Sequence, residues 1–465
     1  MFSVPFFLPR ILSVLLLAAA ITGCRKFIQV PPPDTTLSAA VIFGSDPTAI
    51  AAMMGVYSQA MNTPGTLLNG GMSAYAGLSS DELAGNGLSA ALNSFATNTL
   101  VSTNFYVSTL YASGYNCIYN ANAVLGNLSQ SPAISDTVRS QLNGEARFLR
   151  AFTYFNLVNL FGGVPLETQT NYAVNAVTPR ATSAAVYNQI ALDLTDAQLL
   201  LSPSYATGIT DPNDRTRPNQ WAAAALLARV YLYEQDWADA ETTASAVINS
   251  GQYQLVSLDS VFLATSREAI WQLQPVGTAF NTVEGYLFVP AAAPSSVPLY
   301  TLTNFQVLSF EAGDLRRQHW TGTKTIQGTP YIYPFKYKVK AGGPPYKEYE
   351  MVLRLAEQYL IRAEARARLN DLADAIADLN IIHVRAGLAG FSLSLSQADV
   401  LAAIMQERRA ELFTEWGHRW LDLKRTGQAD AVLQEKPGWR SQDTLYPIPL
   451  TELQHNPNLV QNTGY

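Results

Sequence analysis

Three carboxylates recur at every fourth residue near the end of the chain: Glu407, Glu411 and Glu415. On a helix this spacing places them on one face, where paired carboxylates are able to act in acid–base catalysis. Carboxylates at this spacing also repel one another, so positive side chains must lie between them. We therefore interpret the row as an ion-pair network that ties the last helices together, and we predict no catalytic site. The candidate partners from the preceding helices are Arg362, Arg366 and Arg385.

The residue pattern does not predict a metal-dependent enzyme. The four histidines are scattered along the chain without the spacing that a zinc site requires. Residues 211–214, Asp-Pro-Asn-Asp, form an oxygen-rich segment of the kind that sometimes holds a calcium ion. A capped turn is the more common structure of such a segment. We therefore predict no cofactor and keep a structural calcium ion as the alternative.

Aromatic side chains beside Asn and Asp in two irregular regions are the candidates for ligand binding. Residues 62–110 are rich in Gly, Asn, Ser and Thr, and residues 275–345 in Pro, Gly, Thr and Tyr. Ligand recognition in a concavity combines flat apolar faces with a few polar side chains that fix the orientation of the ligand. For any single residue, the alternative is that it fixes its own loop to the scaffold. The candidates are Tyr75, Asp81, Asn86 and Phe95 in the first region and Tyr286 and Trp320 in the second.

The segments between these regions predict a helical scaffold. Residues 224–248 and 359–382 place small and large apolar side chains at the positions of a tetratricopeptide repeat, a helix–turn–helix unit of about 34 residues. The second copy departs from the pattern at Arg362, where a large apolar residue is expected. Two apolar stripes over residues 148–161 predict a helix that is buried on most sides. We expect a mainly α fold in which a few short β-hairpins occur in the irregular regions.

Composition narrows the class of protein. The chain has 465 residues, of which 48% are hydrophobic and 14% charged, so it is neither disordered nor a multi-span membrane protein. Its net charge of −6 and the lack of a basic stripe argue against nucleic acid as a partner. If Cys24 is acylated, Cys117 has no disulfide partner. The stability of the fold must then come from packing.

The beginning of the chain predicts export and lipidation. Residues 15–23 form an apolar run that is shorter than the roughly 20 residues that span a bilayer, as in a signal peptide. Ile-Thr-Gly before Cys24 looks like a bacterial lipobox, which makes residues 1–23 the signal peptide. Several acyl chains hold a protein stably on a membrane, and residues 24–45, with three consecutive prolines, would form the tether. The alternatives are an ordinary cleaved signal and an uncleaved anchor.

Four groups of motifs together resemble the SusD/RagB family of Bacteroidetes outer-membrane lipoproteins. The first occupies residues 144–166, from Gly-Glu-Ala-Arg-Phe-Leu-Arg to Phe-Gly-Gly-Val-Pro-Leu. The second runs through residues 313–365, beginning with Gly-Asp-Leu-Arg, and the third through residues 407–423. The fourth is residues 445–465, which begin with Leu-Tyr-Pro-Ile-Pro. Each group is weakly specific alone, but they occur in the family's order behind a lipobox.

The resemblance implies a single α-helical body over residues 46–465. Tetratricopeptide-like pairs over residues 141–250 and 350–425 would form a right-handed scaffold that supports the two loop-rich regions as a ligand face. Family members lie on the outside of the outer membrane, cap a SusC-like TonB-dependent transporter, and capture oligosaccharides or, in some cases, peptides. They bind these ligands and do not cleave them. In relatives the Asp-x-Arg pattern at Arg316 looks structural, which argues against that residue as a ligand contact.

Three other functions stay open at this point. Within the same class, the protein could be a peptide-binding lid. From different classes, it could be a tetratricopeptide scaffold that only assembles other lipoproteins, or a lipoprotein glycosidase.

Overall fold

The computed structural model describes residues 38–206 and 214–465. Cys24, the predicted signal peptide, residues 24–37 of the predicted tether and most of the candidate calcium segment therefore lie outside the described residues. The last part of the predicted tether, residues 38–45, is described and contains a short helix. Within the described ranges, no helix combines the length and apolar character needed to cross a membrane.

Helices dominate the described chain. From the start to the middle they are α1 (Ala39–Ile42), α2 (Asp46–Ala60), α3 (Gly77–Ser79), α4 (Ala90–Ala96), α5 (Phe105–Leu128), α6 (Asp136–Phe161), α7 (Tyr172–Asn175), α8 (Ser183–Leu200), α9 (Gln220–Glu234) and α10 (Trp237–Asn249). They continue with α11 (Val283–Phe288), α12 (Asn304–Val307), α13 (Leu315–Trp320), α14 (Leu355–Arg368), α15 (Leu372–Arg385), α16 (Gln397–Leu412), α17 (His418–Arg425), α18 (Ala429–Leu433) and α19 (Leu450–His455). The prediction of a mainly α fold is confirmed.

Both predicted tetratricopeptide-like repeats form antiparallel helix pairs. The first is α9 with α10 and the second is α14 with α15, and α10 packs against α14 so that the two pairs stack. Each pair turns at a residue in the left-handed region, Gln235 with φ 63° and Asn370 with φ 67°. The departure at Arg362 has a physical reason, because its guanidinium pairs with the Asp378 carboxylate of the partner helix at 2.6 Å.

The long helix α6 lies at the centre of the core. It packs between α5 and α8, and Phe148 and Phe152 both meet the Trp271 ring edge-on, with centroids 4.7 and 5.2 Å away. A helix that is apolar on most of its circumference has to be surrounded, as predicted. It ends at Gly162, whose φ of 72° a residue with a side chain rarely adopts.

Six short strands form three antiparallel pairs within residues 38–206 and 214–465. The strands β4 (Thr321–Ile326) and β5 (Thr329–Pro334) form a hairpin inside the second irregular region, as predicted. The other pairs join residues that are distant in sequence: β1 (Leu83–Gly85) with β3 (Tyr300–Leu302), and β2 (Ala269–Leu273) with β6 (Glu350–Arg354). The β2–β6 pair brings the two ends of the second irregular region together.

The first irregular region differs from the expectation of an open loop. Residues 65–83 are buried throughout, and they include a π-helical turn at Met72–Ala76 that runs directly into α3. The apolar side chains Leu67, Leu68 and Met72 belong to the main core. The abundant small residues of this segment allow it to pack closely in the interior. Because the segment has no helical period, its burial could not be predicted from the sequence.

The three glutamates at four-residue spacing form the predicted ion-pair network, although with partly different partners. We call this group the ionic cluster; its members are Glu268, Arg316, Lys336, Arg354, Arg385, Glu407, Glu411 and Glu415. Arg354 lies in its middle, with its Nη1 atom 2.5 Å from Glu411 and 3.0 Å from Glu268. Of the three predicted arginines only Arg385 takes part. Arg362 and Arg366 pair with Asp378 instead.

Burial shapes the electrostatics of the ionic cluster. Burial alone would raise the pKa of Glu411, but the guanidinium groups of Arg385, Arg354 and Arg316 hold that pKa well below its usual range. Glu411 is therefore ionised in the native protein, and its charge is balanced by the guanidinium groups of Arg316, Arg354 and Arg385. Such a network is stable only when it is complete, because each remaining charge would be left unpaired in the interior.

The substitution Arg354→Met is expected to lower the free energy of unfolding by about 3–5 kcal/mol, since it deprives buried carboxylates of their shared cation. The matched control is Arg317→Met on α13, because Arg317 is exposed. Its expected effect is within about 0.5 kcal/mol. Urea denaturation followed by circular dichroism measures both variants, and equal stabilities would contradict the role given to Arg354.

Candidate functional site

The two irregular regions meet through the β1–β3 pair. Leu83 lies opposite Leu302, and Gly85 opposite Tyr300. Asn86 extends this pairing, because its backbone N–H donates to the Leu299 carbonyl at 2.9 Å and its side-chain amide to the Pro298 carbonyl at 2.9 Å. Asn86 therefore fastens the two regions to each other, and its half-buried amide lies at their junction.

A pair of stacked rings stands at the surface beside this junction. Tyr286, on α11, is 46% exposed and stacks on Phe280, with centroids 4.9 Å apart and ring planes 24° apart. The Lys340 Nζ atom lies 5.2 Å from the Tyr286 ring and donates to the carbonyls of Tyr286 and Val289. These contacts fix the orientation of the Tyr286 ring before any ligand arrives.

Contacts at the end of α11 connect the ring pair to the strand junction. Phe288 meets Tyr300 of β3 edge-on, with centroids 5.6 Å apart. We call the resulting area the loop surface; it comprises Asn86, Phe280, Tyr286, Leu299 and Lys340. It offers a flat aromatic face, an exposed apolar side chain and polar groups, which suits it to bind a ligand that has both apolar and hydroxyl faces.

The sequence missed three members of the loop surface: Phe280, Leu299 and Lys340. Phe280 is close to Tyr286 in the chain, and the Phe-x₅-Tyr spacing is the only local signal for their stacking. Lys340 is more than fifty residues away, and only the fold brings it to the Tyr286 ring.

Three other aromatic side chains that were predicted to bind a ligand are buried, and the prediction is corrected for them. Tyr75 and Phe95 stack on each other with centroids 5.1 Å apart, and both belong to the main core. Trp320 has no exposed surface and donates its indole N–H to the Leu258 carbonyl at 2.9 Å. A ring without exposed surface does not stack on a ligand, so the alternative holds for these residues: they fix the loops to the scaffold.

Asp81 is also occupied by partners of its own chain. Its carboxylate accepts two hydrogen bonds from Arg419, at 2.7 and 2.9 Å, and lies 2.9 Å from the Arg409 Nη2 atom. Burial alone would raise the pKa of Asp81, but the hydrogen bonds and charge of Arg419 lower it. The predicted structural role of Arg316 is confirmed, because this buried guanidinium pairs with Asp314, Glu407 and Glu411.

The neighbouring Glu82 is a second buried acid next to this junction. It is buried, and its Oε1 atom accepts the Thr414 backbone N–H at 3.2 Å. Burial raises the pKa of Glu82 to about 8, and the Asp81 charge raises it further. Glu82 is therefore largely protonated at neutral pH in the native state.

The described ranges contain no group of three or more His, Cys, Asp or Glu side chains placed to hold a metal ion. The candidate calcium segment lies mostly outside these ranges, and so does Cys24.

A stack of paired helices that carries a preformed aromatic surface is the architecture of a ligand-binding protein. Comparison with known families agrees with the motif pattern. A SusD-like family described as "Starch-binding associating with outer membrane" matches residues 70–232, and the SusD family matches residues 313–465. The chain belongs to the SusD/RagB family.

Individual relatives support the same assignment over most of the chain. SusD-like protein P25 of Formosa agariphila is 26% identical over an alignment that is 525 residues long and covers 95% of this chain and 97% of the relative. Starch-binding protein SusD of Bacteroides thetaiotaomicron is 25% identical over 427 residues, covering 73% of this chain and 75% of that protein.

Solved structures share the fold. A SusD superfamily protein from Bacteroides vulgatus aligns with a TM-score of 0.78 at 22% identity, covering 90% of this chain and 99% of that chain. A laminarin binding SusD-like protein aligns with a TM-score of 0.75 at 26% identity, covering 90% of this chain and 100% of that chain.

The substitution Glu82→Gln is expected to reduce the loss of stability on going from about pH 5 to pH 8. The native pKa of about 8 lies above the unfolded value of about 4.3, so the native state binds a proton that the unfolded state releases, and stability falls as pH rises between them. The glutamine side chain keeps an oxygen that accepts the Thr414 backbone N–H, and it has no carboxyl group that titrates. Melting temperatures at both pH values measure the effect. The control is Glu311→Gln at an exposed position, and parallel pH profiles for Glu82→Gln and the parent protein would refute the assignment.

The substitution Trp320→Ala is expected to cost about 3–5 kcal/mol of unfolding free energy, because it leaves a large cavity between Phe262 and Phe413. Tyr286→Ala is the matched control, since its exposed ring should cost less than about 1 kcal/mol. Urea denaturation measures the unfolding free energy of both variants. A Trp320→Ala protein as stable as the Tyr286→Ala protein would contradict a core position for Trp320.

Proposed function

We propose that this protein captures oligosaccharides at the loop surface and acts as the lid of a SusC-like TonB-dependent transporter that imports them. The observation that carries the proposal is the preformed Tyr286–Phe280 ring pair at the junction of the two irregular regions. Family membership supports it, because relatives are named as starch-binding and laminarin binding proteins.

The chemistry of the loop surface suits a sugar. The exposed Tyr286 face offers a flat apolar surface for the C–H groups of a pyranose ring. The Lys340 ammonium has three N–H donors and uses two of them on backbone carbonyls, which leaves one for a sugar oxygen. The Asn86 amide already donates to Pro298, so its carbonyl oxygen is the group that remains for a sugar hydroxyl.

We propose binding without cleavage. A glycosidase needs two carboxyl groups beside the bond that is broken. The carboxylates of the ionic cluster are buried and paired with arginines, and Asp81 beneath the loop surface is held by Arg419. These acids are therefore committed to the fold.

The same family membership supports a proposal for the location. We propose that Cys24 carries the lipid that anchors the protein to the outside of the outer membrane, in position to cap the transporter. Labelling cells with a radioactive fatty acid tests this step, with Cys24→Ser as the control variant. Equal label in both proteins would refute lipidation at Cys24.

The substitution Tyr286→Ala is expected to weaken oligosaccharide binding by about tenfold or more, because it removes the exposed face on which a sugar ring would stack. The melting temperature should stay unchanged. Isothermal titration with laminarin and starch oligosaccharides measures the affinity of the full chain. Leu199→Ala is the control, since Leu199 is 81% exposed on α8 of the scaffold. Unchanged affinity, or tighter binding of peptides titrated in parallel, would overturn the assignment of the loop surface to sugars.

A further inference from the structure

A second concavity lies on other elements of the fold. Its volume is 420 Å³, which is within the usual range for small-molecule sites. The helix α5 forms one side, the segment that follows α6 forms another, and α19 closes it. None of its lining residues belongs to residues 62–110 or 275–345, so it is separate from the loop surface. We call it the tyrosine pocket; it is defined by Tyr111, Tyr115, Tyr119, Glu167, Tyr172 and Glu452.

The rings of this pocket form a series from the solvent to the interior. Tyr111, Tyr115 and Tyr119 are four residues apart on α5, so they share one helix face. Tyr119 is 50% exposed, and Tyr172 on the opposite wall is 84% exposed, whereas Tyr111 is buried. Tyr111 and Tyr115 have centroids 4.8 Å apart. A ligand that enters between Tyr119 and Tyr172 therefore meets aromatic surface along its whole path.

The inner end of the series carries a hydroxyl group, that of Tyr111, whose neighbour, the Tyr115 hydroxyl, is poorly aligned for a hydrogen bond. The Tyr111 hydroxyl forms no well-aligned hydrogen bond among the described residues. Buried polar groups normally have a partner, and leaving one unsatisfied costs free energy. A ligand hydroxyl at the bottom of the pocket would satisfy this group.

The walls of the pocket are held in place by buried tyrosine hydroxyls. Tyr115 donates to the Pro165 carbonyl at 2.7 Å, and the Glu167 backbone N–H donates to the Tyr154 hydroxyl at 2.7 Å. The segment that carries Glu167 is therefore fixed against α5 and α6. A pocket with fixed walls loses less conformational entropy when a ligand binds.

Two carboxyl groups supply hydrogen-bond acceptors at the rim. Burial raises the pKa of Glu167 to about 7, and the nearby Glu452 raises it further. The pKa of Glu452 is also raised by burial. These two carboxyl groups outnumber His455, the one basic side chain among the lining residues, and so disfavour an anionic ligand such as a phosphate or a nucleotide. A neutral ligand with several hydroxyl groups instead donates to the carboxyl oxygens while its apolar faces contact the tyrosine rings.

We propose that the tyrosine pocket is a second saccharide-binding site, which accepts one or two sugar units of an oligosaccharide. The site takes the same ligand class as the proposed function, but none of its residues belongs to the loop surface. Two separate sites on one chain would let a long glycan bind at two points, which raises its effective affinity through the local concentration of the second unit.

Hydroxyl-radical footprinting of the full chain with mass spectrometry tests both sites in one experiment. The probes are laminarin and starch oligosaccharides, together with a panel of neutral mono- and disaccharides. The expected result is reduced oxidation of Tyr119 and Tyr172 in the presence of a sugar. Protection of Tyr286 alone would leave the proposed function standing and overturn the second site. Protection of Tyr119 and Tyr172 alone would support the second site and overturn the loop surface. Protection of neither set by any sugar would overturn both.

Choline is the competing probe, because aromatic rings beside carboxylates also bind cations. Protection of Tyr119 and Tyr172 by choline and not by any sugar would overturn the saccharide assignment in favour of a cationic ligand.

Variants separate binding from folding. Tyr172→Ala and Tyr119→Ala are expected to weaken sugar binding at the pocket by about tenfold. Tyr111→Phe removes only the unsatisfied hydroxyl, so it should reduce sugar affinity severalfold without lowering the melting temperature. A merely structural role for Tyr111 predicts the opposite outcome, unchanged affinity with a changed melting temperature. Leu199→Ala serves again as the exposed control.

Discussion

The ionic cluster around Arg354 is the constraint on which the rest of the structure depends. It joins β6, through Arg354, to the helix α16, through Glu411, and to the second irregular region, through Arg316 and Lys336. Removing charges from water costs several kcal/mol per ion, and only a complete set of partners offsets this cost. The cluster therefore forms only when these distant segments are all in place. It sets where the second irregular region enters the core, and so it sets where the loop surface lies.

The helical scaffold could be predicted from the sequence because its signals are local. The period of apolar residues depends only on neighbouring turns of one helix. It was therefore sufficient to predict both repeats, which are the pairs α9–α10 and α14–α15. The row of glutamates predicted an ion-pair network for the same reason. The partners were only partly predictable, because Arg316 and Arg354 come from segments that have no helical relation to Glu411.

The candidate site was much harder to predict, because burial is decided by distant partners. Phe95 is buried against Tyr446, which is about 350 residues further along the chain, with ring centroids 5.5 Å apart. Trp320 is covered by Phe262 and Phe413. A loop aromatic that binds a ligand and one that fixes its loop look the same in a sequence. Tyr286 is exposed, as a ligand contact has to be, whereas Lys340 beside it was found only through the fold.

The β2–β6 pair has a consequence for how such proteins diversify. Because Leu273 lies opposite Glu350, the chain leaves the helical stack and returns to it at one point. A replacement segment of different length could be inserted there without moving the neighbouring helices. It would have to retain a cation at the positions of Arg316 and Lys336, since the carboxylates of the stack need them. Arg316 and Lys336 thus act as two attachment points, and the exposed positions between them are free to vary without disturbing the stack.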